Sequence, residues 1–471
     1  MIKFGTGGWR AVIGDGFTKE NVQILARAMA AKMKDENVAD KGIVLGYDRR
    51  FLSKEAMQWA GVVFAAAGIK ASLINKSSPT PLVMFYVMKH DLPYGMMITA
   101  SHNPAIYNGI KLFTAGGRDA DEEQTRQVEE YIDKVTLPVP SMEYEDAKAA
   151  GLIEEFYPIN EYIDNILDRI DVEAVKKASL RVALDPMYGV SETAIKTILL
   201  TARCEMETIH GRHDTLFGGK LPAPNEAAMS PLKTCVIDNR CDIGIATDGD
   251  ADRIGVVDDK GRYLSPNDIL VLLYYYLVKY RHESGPVVRN LCTTHMLDRI
   301  AEKFGEKSYE VPVGFKHISA KITETDALIG GESSGGLTVR GHINGKDGVY
   351  AAALLVEMLA VTGKKISEMY DDIQEEFGRF YMLEENFSFR AEKKPEYQKL
   401  LMEDKVVPAF ECAVERTSYL DGCKVYFKNG GWVCVRFSGT EPLLRIFCEM
   451  PDKALAQKTS DAYKNLLGLS D

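Results

Sequence analysis

The sequence predicts an α/β protein of several domains: three similar mixed α/β units followed by a C-terminal α+β domain. Three observations carry this. The chain has 471 residues, more than one hydrophobic core usually holds, so about three or four domains are expected. Short apolar runs alternate with longer amphipathic ones, and that rhythm starts afresh three times. Over roughly the last hundred residues it gives way to a different mixture of strands and helices.

The first unit reads as strand at Gly42 to Asp48, helix at Lys54 to Gly68, strand at Ala71 to Asn75, helix at Pro81 to His90 and strand at Tyr94 to Ala100. That is a βαβ layout with strands buried on both faces. The rhythm restarts at Arg181 to Pro186, passes through a helix near Ser191 to Leu200 and reaches a strand at Cys241 to Thr247. It restarts again after the turn Asp258-Asp259-Lys260-Gly261. Ser265-Pro266-Asn267-Asp268 there starts a helix over Ile269 to Tyr280, before a strand at Pro286 to Leu291 and a helix near Thr294 to Phe304. The closing region opens with the acidic helical stretch Ile366 to Glu376, continues in strands around Gly431 to Glu449 and ends in an amphipathic helix from Asp452 to Leu467. The domain bounds that follow are 1–160, 161–262, 263–375 and 376–471.

Composition narrows the partners. The 46% hydrophobic and 27% charged fractions are those of an ordinary soluble globular protein. A net charge of -11 argues against a broad nucleic-acid-binding surface, while a local cluster of Arg and Lys still suits a small anion. Eight cysteines without a CxxC pair read as reduced thiols and give no zinc site. The apolar run Ile269 to Val278 has about half the length of a membrane span, and the N-terminus lacks a signal-peptide apolar region, so a cytoplasmic protein is expected.

Four loops carry chemistry. Thr99-Ala100-Ser101-His102-Asn103-Pro104 sets a serine in a turn directly after a buried strand, where ligands of open α/β sheets bind. A serine there is either a nucleophile or a residue that shapes the turn. A Ser-His-Asp hydrolase is disfavoured, because no G-x-S-x-G elbow is present and His102 is an awkward neighbour for Ser101. In Asp248-Gly249-Asp250-Ala251-Asp252-Arg253 the carboxylates alternate with small residues, so in an extended loop they fall on one side and can surround a hard cation. An EF-hand fails because Arg253 occupies the glycine position, and magnesium is favoured because three carboxylates leave room for a phosphate oxygen.

Ser438-Gly439-Thr440, flanked by Arg436 and Arg445, offers consecutive N–H groups, hydroxyls and charge for an anion, or an ordinary hairpin turn. Gly330-Gly331-Glu332-Ser333-Ser334-Gly335-Gly336 is a polar glycine-rich loop whose Glu332 and Ser334 suit sugar hydroxyls. Arg10 in Phe4-Gly5-Thr6-Gly7-Gly8-Trp9-Arg10, Lys111 and Lys316 are further cations beside glycines.

In combination and order these stretches resemble the α-D-phosphohexomutase family (phosphoglucomutases and phosphomannomutases), over essentially the whole chain. The resemblance rests on TASHNP, DGDADR, GGESSGG and RFSGTEP, and extends to FGTGGWR, Ser78-Pro79-Thr80-Pro81, Phe217-Gly218-Gly219 and VGFKH. It implies four domains around a central cleft, the last of TATA-binding-protein-like type. It also implies that Ser101 carries a phosphoryl group, with Mg2+ held by that group and by Asp248, Asp250 and Asp252. Arg10 and Lys111 would assist proton transfer or stabilise charge. Arg253 and Lys316 would be further substrate-facing cations, Glu332 and Ser334 would read sugar hydroxyls, and Arg436, Ser438, Gly439, Thr440 and Arg445 would hold the non-reacting phosphate.

The implied reaction is interconversion of hexose 1- and 6-phosphates, with glucose 1,6-bisphosphate or mannose 1,6-bisphosphate as activator. Ser333 in place of glutamine, and Gly336 where several relatives have histidine, favour glucose and mannose phosphates over glucosamine phosphate. Phosphoglucosamine mutase, phosphopentomutase and a non-catalytic phosphosugar-binding protein are the alternatives.

Overall fold

Three loops of the sequence occupy the same topological place in three sheets. In a computed structural model describing residues 2–5, 7–437 and 443–469, a buried strand of each of the first three sheets runs out into its loop and returns as an antiparallel neighbour. Tyr94–Ile98 lies parallel to Ile43–Tyr47 on one side and antiparallel to Tyr107–Thr114 on the other, with the serine loop between. Ile243–Thr247 and Ile254–Val257 flank the aspartate loop in the same way, and Ile329–Gly331 and Leu337–Val339 flank the glycine-rich loop. That shared parallel-then-antiparallel turn is why the sequence rhythm restarts three times.

The first sheet has seven strands, with Trp9–Val12 at one edge and Ile153–Phe156 at the other. Its parallel strands Ile43–Tyr47 and Tyr94–Ile98 are buried along their whole length, as their continuous apolar character requires. The second sheet has five strands and the third four. The fourth is a five-stranded antiparallel sheet, Tyr381–Ser388, Leu443–Met450, Trp432–Phe437, Cys423–Phe427 and Val414–Ser418 in spatial order, covered by the helix Lys453–Leu467.

The first three units are not independent globules. Val83 and Phe85 of the helix Thr80–Lys89 share one core with Ile195, Ile245, Leu270 and Leu354 of the units that follow. The helix Gly348–Thr362, buried almost all round, is the spine of that core. Ile366–Phe377, which opens the change of pattern in the sequence, packs Ile366, Met369 and Ile373 into this same core rather than into the last sheet. The last sheet keeps its own core and meets the third unit through a patch of Leu291, Cys292, Trp432, Cys434 and Phe447.

The strand Tyr107–Thr114 was not read from the sequence. It carries Lys111 as a strand residue whose Cα pairs with that of Met97, which puts this lysine beside the serine loop. Among the described residues no helix is long and apolar enough to cross a membrane.

Candidate active site

The serine loop is held by a short chain of buried polar groups. Ser101 has φ 51°, in the left-handed region that a non-glycine residue adopts only when its surroundings enforce it. Its N–H donates to Thr99 Oγ1 at 2.8 Å, and Thr99 Oγ1 donates to Asp48 Oδ2 at 2.7 Å. On the other side one guanidinium gathers the turn. Arg50 donates to the carbonyls of Ser101 at 2.6 Å, Asn103 at 2.7 Å, Pro104 at 2.9 Å and Tyr107 at 3.0 Å, and lies 4.9 Å from the Phe217 ring centroid. So constrained, the buried Ser101 hydroxyl donates to Asp248 Oδ2 at 2.8 Å.

His102 lies closer to that hydroxyl than its sequence position suggested, with Nδ1 at 3.3 Å from Ser101 Oγ. Burial, with Arg253 and Arg10 nearby, pushes its imidazole down to about 2, so the ring is neutral.

The three carboxylates come together as the alternation requires: one oxygen each from Asp248, Asp250 and Asp252 lies within 4.8 Å of the others. Lys111 Nζ sits 2.7 Å from Asp250 Oδ2 and 2.6 Å from Asp252 Oδ2. Thr80, in the turn after Pro79, donates its hydroxyl to Asp250 Oδ2 at 2.6 Å and its N–H to the Asp250 carbonyl at 2.9 Å. Burial opposes the charge on Lys111, but Asp250 and Asp252 outweigh it and hold the ammonium above its ordinary range. Burial also opposes ionisation of Asp252, and Lys111, Lys346 and Arg253 overcome it, keeping that carboxyl well below the usual range. Asp248 goes the other way, raised by burial and by its two like-charged neighbours.

These residues fit a divalent cation. Asp250 Oδ1 and Asp252 Oδ1 are buried without a hydrogen-bond partner among the described residues, a costly arrangement for carboxylate oxygens. The donors are all oxygen, the set preferred by magnesium or calcium.

The other loops lock onto this centre through the backbone. Ile254 N–H, directly after the aspartate loop, donates to the Gly335 carbonyl at 3.1 Å, and Gly348 N–H donates to the Ala251 carbonyl at 3.1 Å. Glu332 is buried, accepts from Gly314 N–H at 3.0 Å on Oε1 and from the Ser334 hydroxyl at 3.3 Å on Oε2. Arg10 donates to Asn103 Oδ1 at 2.7 Å and stands close enough to Arg253 for the two guanidiniums to repel. Lys316 ion-pairs with Glu122 and, with Lys111, Asp119 and Gly8, lines a cavity of about 290 Å³ beside the centre.

In the fourth domain Ser438, Gly439 and Thr440 lie outside the described residues. Arg436 and Arg445 are direct cross-strand partners at the base of that loop, a like-charge pairing that concentrates positive charge there. Arg445 Nε is buried without a hydrogen-bond partner among the described residues, and Arg436 Nη2 donates to Asp421 Oδ2 at 2.7 Å. Ser101, Lys111 and the three aspartates are thus in direct contact, with Arg10, Arg253, Glu332 and Ser334 around them. Among the described residues no hydrogen bond or ion pair joins Arg436 or Arg445 to that cluster.

Sequence reasoning missed Arg50 and Lys346. Asp48-Arg49-Arg50 after a buried strand was a usable signal for the first; nothing distinguishes Lys346 from a surface lysine. Its Nζ lies 3.0 Å from Asp252 Oδ2, and its stem crosses Gly336, where a Cβ would sit 2.1 Å from Lys346 Cδ. Gly336→Ala is therefore expected to displace Lys346 and lower kcat/KM by roughly 5- to 20-fold, and to cost little in a Lys346→Ala background. Steady-state kinetics on the two single variants and the double variant check this.

Comparison with known proteins places this geometry. Family models of the phosphoglucomutase/phosphomannomutase α/β/α domains I, II and III match residues 1–138, 160–261 and 265–377, and that of the C-terminal domain matches 392–465. A phosphoglucomutase/phosphomannomutase of Thermococcus kodakarensis is 30% identical over 97% of this chain and 96% of its own. A Methanocella arvoryzae protein named probable phosphoglucosamine mutase is 31% identical over 97% and 96%. A crystal structure from Thermus thermophilus, provisionally described as a phosphomannomutase, superposes with a TM-score of 0.85 at 27% identity, covering 99% of both chains. Fold and relatives together define an isomerase of the phosphohexomutase class. The chain belongs to the phosphoglucomutase/phosphomannomutase family of the α-D-phosphohexomutase superfamily.

Proposed function

We propose that the protein interconverts hexose 1-phosphates and hexose 6-phosphates of glucose and mannose, with Ser101 carrying the phosphoryl group between turnovers. The observation that supports this best is the Ser101 hydroxyl donating to Asp248 Oδ2 at 2.8 Å inside a buried carboxylate triad. Asp248, Asp250 and Asp252, with the Ser101 phosphate, would hold a magnesium ion, whose chemistry there is to neutralise charge on the transferring phosphoryl group.

Phosphoryl transfer depends on positioning and charge more than on covalent assistance. Arg50 and the Asp48–Thr99 pair fix the serine turn, so the Ser101 oxygen holds one position through both transfers. In the first, the bond from Ser101 Oγ to phosphorus breaks as a sugar hydroxyl oxygen bonds to phosphorus and the hydroxyl proton passes, in net, to the released Ser101 Oγ, giving a hexose 1,6-bisphosphate. In the second, the other phosphoryl group returns to Ser101 Oγ. Lys111 pairs with Asp250 Oδ2 and Asp252 Oδ2, where its ammonium offsets charge at the centre. Arg10 and Arg253 add positive charge beside the serine, and Arg436, Arg445 and the Ser438-Gly439-Thr440 loop take the phosphate that is not reacting. Glucose 1,6-bisphosphate or mannose 1,6-bisphosphate would load Ser101 at the start. The eight free cysteines suit a reducing compartment such as the cytoplasm.

The sugar loop offers Glu332 and Ser334 for ring hydroxyls, while the Lys346 stem fills the space over Gly336 and its ammonium pairs with Asp252. Glucose 1-phosphate is expected to react with higher kcat/KM than glucosamine 1-phosphate, and mannose 1-phosphate to react as well. Glu332→Ala should lower kcat/KM by roughly 5- to 150-fold on both hexose phosphates, the range for losing a hydrogen bond to a buried group. A phosphoglucosamine mutase is the second reading, favoured by the 31% identity to the Methanocella arvoryzae protein. Kinetics on a panel of sugar 1-phosphates decides between them: a preference for glucosamine 1-phosphate would overturn the first while leaving the phosphoserine chemistry intact.

A further inference from the structure

Two consecutive peptide groups ahead of the helix Phe315–Thr325 serve different domains. Gly314 N–H donates to Glu332 Oε1 at 3.0 Å, within the third unit. Val313 N–H crosses to the fourth domain and donates to Asp421 Oδ2 at 2.9 Å. Asp421 lies in the turn between Val414–Ser418 and Cys423–Phe427, and the same oxygen accepts from Arg436 Nη2 at 2.7 Å. The Asp421 carbonyl accepts from Arg436 Nε at 3.2 Å, so two of the three guanidinium nitrogens are committed to one residue. The next residue makes this approach possible. Gly422 has φ 99°, and a Cβ there would lie 2.7 Å from Arg436 Cγ. Val313 itself packs against the apolar patch of Trp432 and Phe447 that joins the two domains.

The inference rests on the mutase reading, in which Glu332 contacts the sugar and Arg436 the non-reacting phosphate. We propose that Asp421 is a positioning residue that couples those two contacts, one carboxylate oxygen fixing the phosphate-holding guanidinium against the peptide segment that fixes the sugar-reading carboxylate. The Asp421 side chain is 29% exposed, and ion pairs at such sites add little to stability. Its contribution is geometric. Loss of the Asp421 carboxylate lets the phosphate-holding guanidinium and the segment that fixes Glu332 shift relative to each other, and small misplacements of a substrate are expensive in rate.

The test is hexose phosphate kinetics on wild type, Asp421→Asn, Asp421→Ala, Glu332→Gln and the double variant Asp421→Ala/Glu332→Gln, with a melting temperature for each. Asn keeps an oxygen for Val313 N–H but loses the charge facing Arg436; Ala removes both. Asp421→Ala is expected to raise KM by about 5- to 20-fold with a smaller fall in kcat, and Asp421→Asn to fall between it and wild type. Glu332→Gln should cost at least about threefold less in kcat/KM when Asp421 is already alanine. Costs that multiply independently, or an unchanged KM, in an enzyme whose wild type turns over hexose phosphates, overturn the coupling alone. A wild type that turns over no hexose phosphate overturns the mutase reading and the coupling with it. Should Asp421→Ala melt far below wild type, the same comparison made with Asp421→Asn decides.

Discussion

Ser101→Ala is expected to lower kcat on glucose 1-phosphate by roughly 10⁴-fold or more, because the oxygen that accepts and returns the phosphoryl group is gone. Few other groups are placed to replace it. The neighbouring His102 imidazole is neutral and its Nδ1 lies 3.3 Å from the missing oxygen, but its position depends on the same turn that presents Ser101. The turn should survive, since Arg50 binds backbone carbonyls and Thr99 binds a backbone N–H. Alanine keeps the left-handed strain that serine already carries and loses the hydrogen bond to Asp248, worth about 1 kcal/mol, so the melting temperature should drop by a few degrees while the rate collapses. A folded Ser101→Ala protein with a rate near wild type would remove the serine from the chemistry.

Loss of one aspartate is the second large effect. Asp252→Ala leaves Lys111 and Lys346 without the carboxylate they share, and removing one partner of a buried pair costs about 3–5 kcal/mol of stability. Activity should fall by roughly 10²- to 10⁴-fold and the magnesium concentration needed for half-maximal activity should rise, since the remaining carboxylates hold the ion poorly. The stability and activity losses separate in the double variant Asp252→Ala/Lys346→Met, which removes the ammonium left without its carboxylate: melting should recover in part, activity should not. Excess EDTA should silence the wild type and magnesium restore it. Activity undiminished in EDTA contradicts the metal assignment.

The loops that carry the chemistry were legible because each breaks a clear pattern. Ser101 and the three aspartates follow apolar runs that the continuous-burial rule marks as strands, and the structure closes those strands into hairpins at these loops; Glu332 stood out only through its glycine-rich loop, and the strand before it was not read. Residues that act across the chain were less legible. Thr80 and Asp250 are hydrogen-bonded 170 residues apart, and Arg50 gathers carbonyls more than fifty residues away, contacts with no local periodicity. Lys346 is invisible for another reason, since its reach depends on the missing Cβ of Gly336 ten residues earlier. The antiparallel strand Tyr107–Thr114 was missed because Asn108, Gly109 and Lys111 interrupt its apolar character; burial of Asn108 against Ser53 Oγ and of Lys111 against the aspartates explains why those residues are tolerated there.

Phosphate on Ser101 is the claim from which the rest follows, and peptide-resolved mass spectrometry tests it directly. Protein first stripped of phosphate, then incubated with magnesium and glucose 1,6-bisphosphate, should gain the mass of one phosphoryl group, located on Ser101 and discharged by added hexose phosphate. An enzyme that turns over hexose phosphates while its phosphate maps to another residue, or while no phosphate is transferred to the protein at all, would contradict the account.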